Sequence, residues 1–193
     1  MCGRFYIDDE DEQYRQILSL LYQQNPNDAA LLTMSKGEIF PTNAVPVVEA
    51  NGPRLMGWGF SRFDGKGRVI NARSETLAEK PMFRSALQSG RCLIPATGYF
   101  EWDRRADGKR KYRLRPAHGG MFYLAGLYRT EASAMLPLFV ILTAPAAEEI
   151  RFLHERMPVI FCGDAGGGWL DGANDPARTI ARAERRIAYE LCG

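Results

Sequence analysis

From Glu38 onward the chain alternates between short runs of apolar, β-branched and aromatic residues and interruptions by glycine, proline or polar turn residues. Runs this short match strands, and a succession of them has to pair into a sheet. Glu38 to Glu49, with Pro41 and Pro46, reads as one extended segment, and Leu55 to Phe60 and Arg68 to Ala72 as strands separated by Gly65 and Gly67. Arg91 to Pro95 and Tyr99 to Arg104 follow as strands. Ala106-Asp107-Gly108-Lys109 then turns the chain into another strand through Arg115, making a hairpin. Met121 to Leu127 and Leu138 to Thr143 carry few polar residues, as strands buried on both faces require, and Pro158 to Cys162 adds a further strand.

Helical spacing is confined to a few places. Asp11 to Gln24 places Tyr14, Ile17, Leu18, Leu21 and Tyr22 on one face behind an acidic first turn. Met82 to Gln88 after Pro81, and Ala146 to Leu153, read as brief helices. Ala177 to Leu191 sets Ile180, Ala183, Ile187 and Leu191 opposite Arg178, Arg182, Arg185 and Arg186, which predicts a closing surface helix. Gly166-Gly167-Gly168 lacks the Lys-Ser or Lys-Thr of a phosphate-cradling loop and reads as a flexible turn. With 193 residues and no repeat or linker, these elements predict a single α+β domain over residues 1–193. Its core is expected to be a mainly antiparallel sheet or a barrel-like β structure with flanking helices.

A hydrophobic share of 46% and a charged share of 25% exclude a disordered or fibrous chain. No stretch approaches the roughly 18 to 20 apolar residues that span a membrane, and Asp8 to Glu12 is acidic where a leader peptide would be basic. A cytoplasmic monomer without membrane contact is the expectation. The net charge of +2 excludes a histone-like binder, although 20 of the 25 basic residues are Arg, which suits planar contacts to phosphate or carboxylate. Seven basic residues stand against the single acid Asp107 between Arg104 and Arg115. Such a segment can track a nucleic acid backbone, or it can simply keep an edge strand soluble.

Cys2, Cys92, Cys162 and Cys192 are far apart with no CxxC pair, and His118 and His154 are the only histidines. Neither structural zinc nor any cofactor is expected, and Cys92, Cys162 and Cys192 read as core residues. Cys2 differs because removal of Met1 would give it a free amine. The reference pKa values, about 8.5 for a thiol and about 7.7 to 8.0 for an α-amine, leave both groups usable near neutral pH. A 1,2-aminothiol condenses with an aldehyde to an imine, and the sulfur then closes a thiazolidine ring. A small residue at a frayed terminus is the alternative reading of Cys2.

Other residues of the right type stand in unusual settings. Glu101 lies among aromatics in Gly98-Tyr99-Phe100-Glu101-Trp102, a setting that suits general acid work. His154 has the pKa range for proton transfer, and it also reads as a capping residue. Trp58, Phe60, Phe63, Tyr99, Phe100 and Trp102 are candidates for stacking on bases, though aromatics at strand spacing are usually core.

Four blocks together carry a resemblance. They are Met1-Cys2-Gly3-Arg4-Phe5, Asn71 to Thr76, Gly98 to Trp102 behind Arg91 to Ala96, and Leu142-Thr143-Ala144-Pro145 leading to His154-Glu155-Arg156-Met157-Pro158. In order and spacing, over residues 1 to about 162, the chain resembles the SOS-response-associated peptidase (SRAP) family of abasic-site processing proteins. The resemblance implies binding to single-stranded DNA at abasic sites and a covalent thiazolidine crosslink through Cys2 after loss of Met1. By motif, Asn71 would orient the amine, and Glu101 and His154 would assist sugar ring opening and proton transfer. Arg4, Arg73 and Arg156 would grip phosphates, and Trp58 would contact DNA. The imine could also promote β-elimination, an abasic-site lyase activity.

Two departures bear on the rim of such a site. Family members commonly carry Pro and a second Trp after Trp-Gly, where this chain has Phe60-Ser61-Arg62-Phe63-Asp64-Gly65. Many also continue into a Pro-Val-Ser and Asn-rich segment past the last helix, so part of the rim is expected to be missing. Two other functions remain open on sequence grounds: a thiol peptidase using Cys2 with His154 as base, and a non-catalytic single-strand binder.

Overall fold

The structure is a computed structural model and describes residues 2–103 and 110–192. The turn expected at Ala106 to Lys109, and much of the basic segment that begins at Arg104, lie outside the described residues. The first part of the chain forms β1 (Phe5–Ile7), β2 (Gly37–Ile39), β3 (Ala44–Glu49), β4 (Gly52–Trp58), β5 (Phe60–Ser61), β6 (Arg68–Val69) and β7 (Asn71–Arg73). The second part forms β8 (Arg91–Ala96), β9 (Gly98–Asp103), β10 (Arg110–Pro116), β11 (Phe122–Arg129) and β12 (Leu138–Pro145). It ends with β13 (Arg156–Pro158), β14 (Ile160–Phe161) and β15 (Ile187–Leu191). The helices are α1 (Glu12–Gln24), α2 (Pro81–Ser89), α3 (Gly167–Leu170) and α4 (Pro176–Ile180).

The larger sheet closes on itself: β12 joins β4, then β3, β8 and β11, and β11 pairs back to β12. Only the β12–β4 join of this ring is parallel. Of the two expected forms, a mainly antiparallel sheet or a barrel-like β core, the ring is mostly antiparallel and closes. Strand alternation explains why its sequence runs are so continuously apolar. Phe139 and Ile141 of β12, with Cys92 and Ile94 of β8, face one core. Leu138, Val140 and Leu142, with Leu93, face the other. Against the first core pack α1, through Tyr14 and Ile17, and a five-stranded sheet in the order β15-β10-β9-β1-β2. Against the second pack Phe83 of α2 and Trp169 of α3. Gly126 lets β8, β11 and β12 meet, because a Cβ there would stand 2.5 Å from Ile94 Cδ1 and 2.8 Å from the Val140 carbonyl.

The helix at Asp11 to Gln24 forms as its pattern predicts, with the Asp11 carboxylate accepting from the N–H groups of Gln13 and Tyr14. Several expectations are corrected. The closing helix over Ala177 to Leu191 is a short turn, α4, followed by β15, which pairs with β10 from Ile187↔Pro116 to Leu191↔Tyr112. The open edge of β10 offers backbone partners that an isolated surface helix lacks, and tertiary pairing overrides the helical spacing. Ala146 to Leu153 contracts to a 3-10 turn at Glu148–Ile150. The triglycine is not a free turn: it leads into α3 and seats Trp169, whose Nε1 donates to the carbonyls of Cys92 and Gly126, each at 3.1 Å. The extended segment from Glu38 splits at Thr42, the one non-glycine residue with positive φ among the described residues. Leu55 to Phe60 likewise breaks at Gly59, whose φ of 113° suits only glycine.

Candidate active site

Cys2 enters the fold just ahead of β1, which lies against β9 with Phe5 opposite Tyr99. The Phe100 N–H donates to the Arg4 carbonyl at 2.9 Å, which extends the pairing to the chain start. Gly98 leaves room for the Arg113 side chain of β10, since a Cβ there would sit 2.7 Å from Arg113 Nε. Cys2 is fully buried. Its thiol donates to the Arg4 carbonyl at 3.8 Å, and its own carbonyl accepts from Asn71 Nδ2 at 2.9 Å. Glu101, also buried on β9, lies close enough for its charge to act on the thiol. Cys2, Asn71 and Glu101 therefore meet from three distant parts of the sequence.

The surroundings of Cys2 set the state of its thiol. Burial, and then the Glu101 charge, push the Cys2 thiol up to about 12, against a smaller opposing effect of its hydrogen bond to the Arg4 carbonyl. At neutral pH the sulfur holds its proton, unlike the reference thiol assumed from sequence. The Asn71 side chain is half used. With Nδ2 committed to the Cys2 carbonyl, its Oδ1 is buried without a hydrogen-bond partner among the described residues, a costly state that points to a partner supplied in function.

The remaining blocks converge on β12. It pairs in parallel with β7, Ile141 opposite Asn71 and Thr143 opposite Arg73. It also pairs antiparallel with β13, Thr143 opposite Pro158 and Pro145 opposite Arg156. His154 precedes β13, and its Nδ1 accepts from the Arg156 N–H at 2.9 Å, so the neutral ring carries its proton on Nε2. Arg156 is clamped. Its guanidinium donates to both Glu75 oxygens and to the Thr143 carbonyl, and this pairing holds Glu75 down at about 2.

Arg4 is engaged as well. It pairs with Glu38 at 3.1 Å and lies over the Phe40 and Trp102 rings at 4.2 and 5.0 Å. Burial alone would raise Glu38, but hydrogen bonds from Lys111 and Arg4 outweigh it and hold that carboxyl below its usual range. Arg73 is exposed. Trp58 corrects the sequence reading. It is fully buried, stacked on Phe139 with centroids 6.2 Å apart, and its Nε1 donates to the Ile70 carbonyl at 3.0 Å. Its ring fills the core and presents no face to a base. Phe60, Tyr99 and Phe100 are buried too, whereas Phe63 is 84% exposed.

Phe63 stands at a cleft of about 430 Å³ that Asn71, Arg73, Lys80 and Met82 also line. A larger cleft, about 650 Å³ and bordered by Asp164, Asn174, Asp175 and Arg178, contains none of the site residues. Sequence reasoning left two participants unassigned. Glu75 lay inside the Asn71 to Thr76 block, but its partner is 81 residues away, and no local signal marks that pairing. Lys80 reaches the cleft through the turn before α2, a position that no sequence periodicity marks.

Comparison with known proteins fits this arrangement. Abasic site processing protein YoqW of Bacillus subtilis is 41% identical over 197 residues, spanning 91% of this chain and 83% of the relative. YobE of the same organism is 42% identical over 115 residues, 56% of this chain, and YedK of Escherichia coli 28% over 178 residues, 88% of this chain and 79% of the relative. The matched region spans about half the length of YobE and of YoaM, a further Bacillus subtilis relative. A solved structure from Bacteroides thetaiotaomicron superposes with a TM-score of 0.80 over the whole chain and 92% of its own length. At 18% identity it shows the shared fold. A phage-related protein of Bordetella bronchiseptica, 24% identical, gives 0.73 over 99% of this chain and 94% of that structure. No helix among the described residues is long and apolar enough to cross a membrane. A profile of the SOS response associated peptidase (SRAP) family runs through residues 1–190, the span that brings the four sequence blocks together, and the chain belongs to that family.

Proposed function

We propose that the protein binds single-stranded DNA at abasic sites and joins itself to the lesion through Cys2 after Met1 is removed. The observation that carries this reading is the setting of Cys2: buried beside Glu101, with its carbonyl held by Asn71 and the Asn71 Oδ1 left for a further donor. The relatives named abasic site processing proteins support the same lesion as substrate.

The order of steps follows from the two nucleophiles. The α-amine, with the lower pKa, attacks the open-chain aldehyde of the baseless sugar and loses water to form an imine. The thiol then adds to the imine carbon, and its proton passes to the nitrogen, closing a thiazolidine. The balance is aldehyde plus aminothiol to thiazolidine plus water. An abasic sugar is mostly ring-closed, so Glu101 and His154 act in proton transfer to open it, and Asn71 Oδ1 orients the amine. Arg73 is free to meet a phosphate, and Arg4 and Arg156 reach one by exchanging their carboxylate partners. Phe63 is the aromatic placed to stack on a base near Asn71.

The raised thiol disfavours a peptidase in which Cys2 works as a thiolate with His154 as base. A passive binder leaves the buried Cys2, held by Asn71 beside Glu101, without a role. In the test, the mature protein is incubated with a single-stranded oligonucleotide carrying one abasic site. A heat-stable adduct that forms without borohydride is expected. A Met-Ala-Cys start keeps the thiol but moves the amine, and an undiminished adduct from that variant rejects the proposal. Cys2→Ser is expected to lose the stable adduct while retaining imine-dependent strand cleavage, the lyase activity. Binding should weaken with salt by a slope of about 0.7 per phosphate contacted.

A further inference from the structure

The geometry points to a second site, unrelated to the abasic-site reading: a zinc-binding centre formed by His118, Cys162 and Glu184. One ligand atom from each, an imidazole nitrogen, the thiol sulfur and a carboxylate oxygen, lie within 4.8 Å of one another. The three residues come from separate segments. His118 is in the turn between β10 and β11, Cys162 follows β14, and Glu184 precedes β15. Sequence spacing gave no hint of this cluster, which is why no metal was expected.

The backbone beneath the cluster is cross-linked. The Ala117 N–H donates to the Arg186 carbonyl at 2.9 Å, and the Glu184 N–H donates to the Ile160 carbonyl at 2.8 Å. β14 is in turn paired to β11, with Tyr123 opposite Phe161. The donors are thus carried on a framework that holds without metal. Glu184 is further oriented by the N–H groups of Arg185 and Arg186, which donate to its Oε1 at 2.9 and 2.8 Å, the kind of outer support that ligating carboxylates use. Arg186 Nε also lies 3.4 Å from that oxygen, but its side chain is 82% exposed and is free to swing away.

The donor set selects the ion. Calcium and magnesium prefer all-oxygen shells, whereas one nitrogen, one sulfur and one oxygen match zinc, with water in the fourth position. Donor atoms in a tetrahedral zinc shell stand about 3.5 Å apart, so atoms already within 4.8 Å of one another need to close by about 1.3 Å at most, and the exposed His118 side chain can rotate to do so. Bound there, zinc would tie the β10–β11 turn to the entry of β15.

The test is a titration of the metal-stripped full-length protein with cobalt(II), followed by displacement with zinc. One equivalent of cobalt is expected to produce a thiolate-to-cobalt charge-transfer band that zinc abolishes. Cys162→Ser should remove the band, His118→Ala should weaken cobalt binding at least tenfold, and Cys192→Ser should leave it intact. Cys2→Ser distinguishes the competing aminothiol: a band lost there but kept in Cys162→Ser overturns the proposal. So does a folded His118→Ala protein with unchanged cobalt affinity, a readout that holds even if Cys162→Ser fails to fold. Absence of any band in the wild type also overturns it.

Discussion

Replacing Asn71 by Ala removes the donor 2.9 Å from the carbonyl of a fully buried Cys2 and leaves that carbonyl unpaired. An unsatisfied buried polar group costs about 1–3 kcal/mol. If residue 2 escapes the penalty by leaving its position, the competent population falls by the same free energy, about 5- to 150-fold at 1.36 kcal/mol per factor of ten. The expected outcome for Asn71→Ala is a crosslinking rate reduced within that range at saturating DNA. Urea unfolding should show a stability loss of comparable size. Asn71→Asp separates the two ends of the amide: it loses the donor to Cys2 but keeps an acceptor, now charged, at the Oδ1 position. Its carboxylate should stabilise the ammonium form of the amine, moving the pH profile of crosslinking to higher pH. The assay is single-turnover adduct formation on denaturing gels across pH. A folded Asn71→Ala protein that crosslinks at the wild-type rate refutes the reasoning, because neither end of the amide would then matter.

Three further outcomes are expected. The Cys2 thiol is raised from 9.0 to about 12, by burial first and Glu101 second, so the folded state keeps a proton that the unfolded chain releases. Its contribution to stability is complete below pH 9 and is lost as the pH climbs from 9 towards 12; the difference in unfolding free energy between wild type and Cys2→Ala should begin to shrink above pH 9. Glu75→Gln releases the Arg156 guanidinium from its carboxylate and should tighten single-stranded DNA binding at fixed salt, because a phosphate no longer competes with Glu75 for it; filter binding measures the change in affinity. Gly126→Ala forces a Cβ to 2.5 Å from Ile94 Cδ1 and 2.8 Å from the Val140 carbonyl, and chemical denaturation should show a loss of about 1–3 kcal/mol or more.

Residues whose character depends on near neighbours were legible without a structure. The Asp11-capped α1, the doubly buried β11 and β12 and the placing of Cys2 directly behind Met1 all announce themselves within a few positions, because periodicity and capping are local physics. The four motif blocks were also legible, and with them Cys2, Asn71, Glu101 and His154 as candidates. Tertiary structure alone decided what distant segments did to one another. An open edge on β10 turned a helical pattern into β15, and closure of the β12–β4–β3–β8–β11 ring put Trp58 inside the core. Pairing of β1 with β9 in the five-stranded sheet brought Glu101 beside Cys2, and the meeting of other distant segments put Glu75 onto Arg156 and His118 near Cys162 and Glu184. The physical reason is range: backbone preference and side-chain spacing act over a few residues, whereas burial, charge proximity and strand pairing depend on which segments meet when the sheet closes.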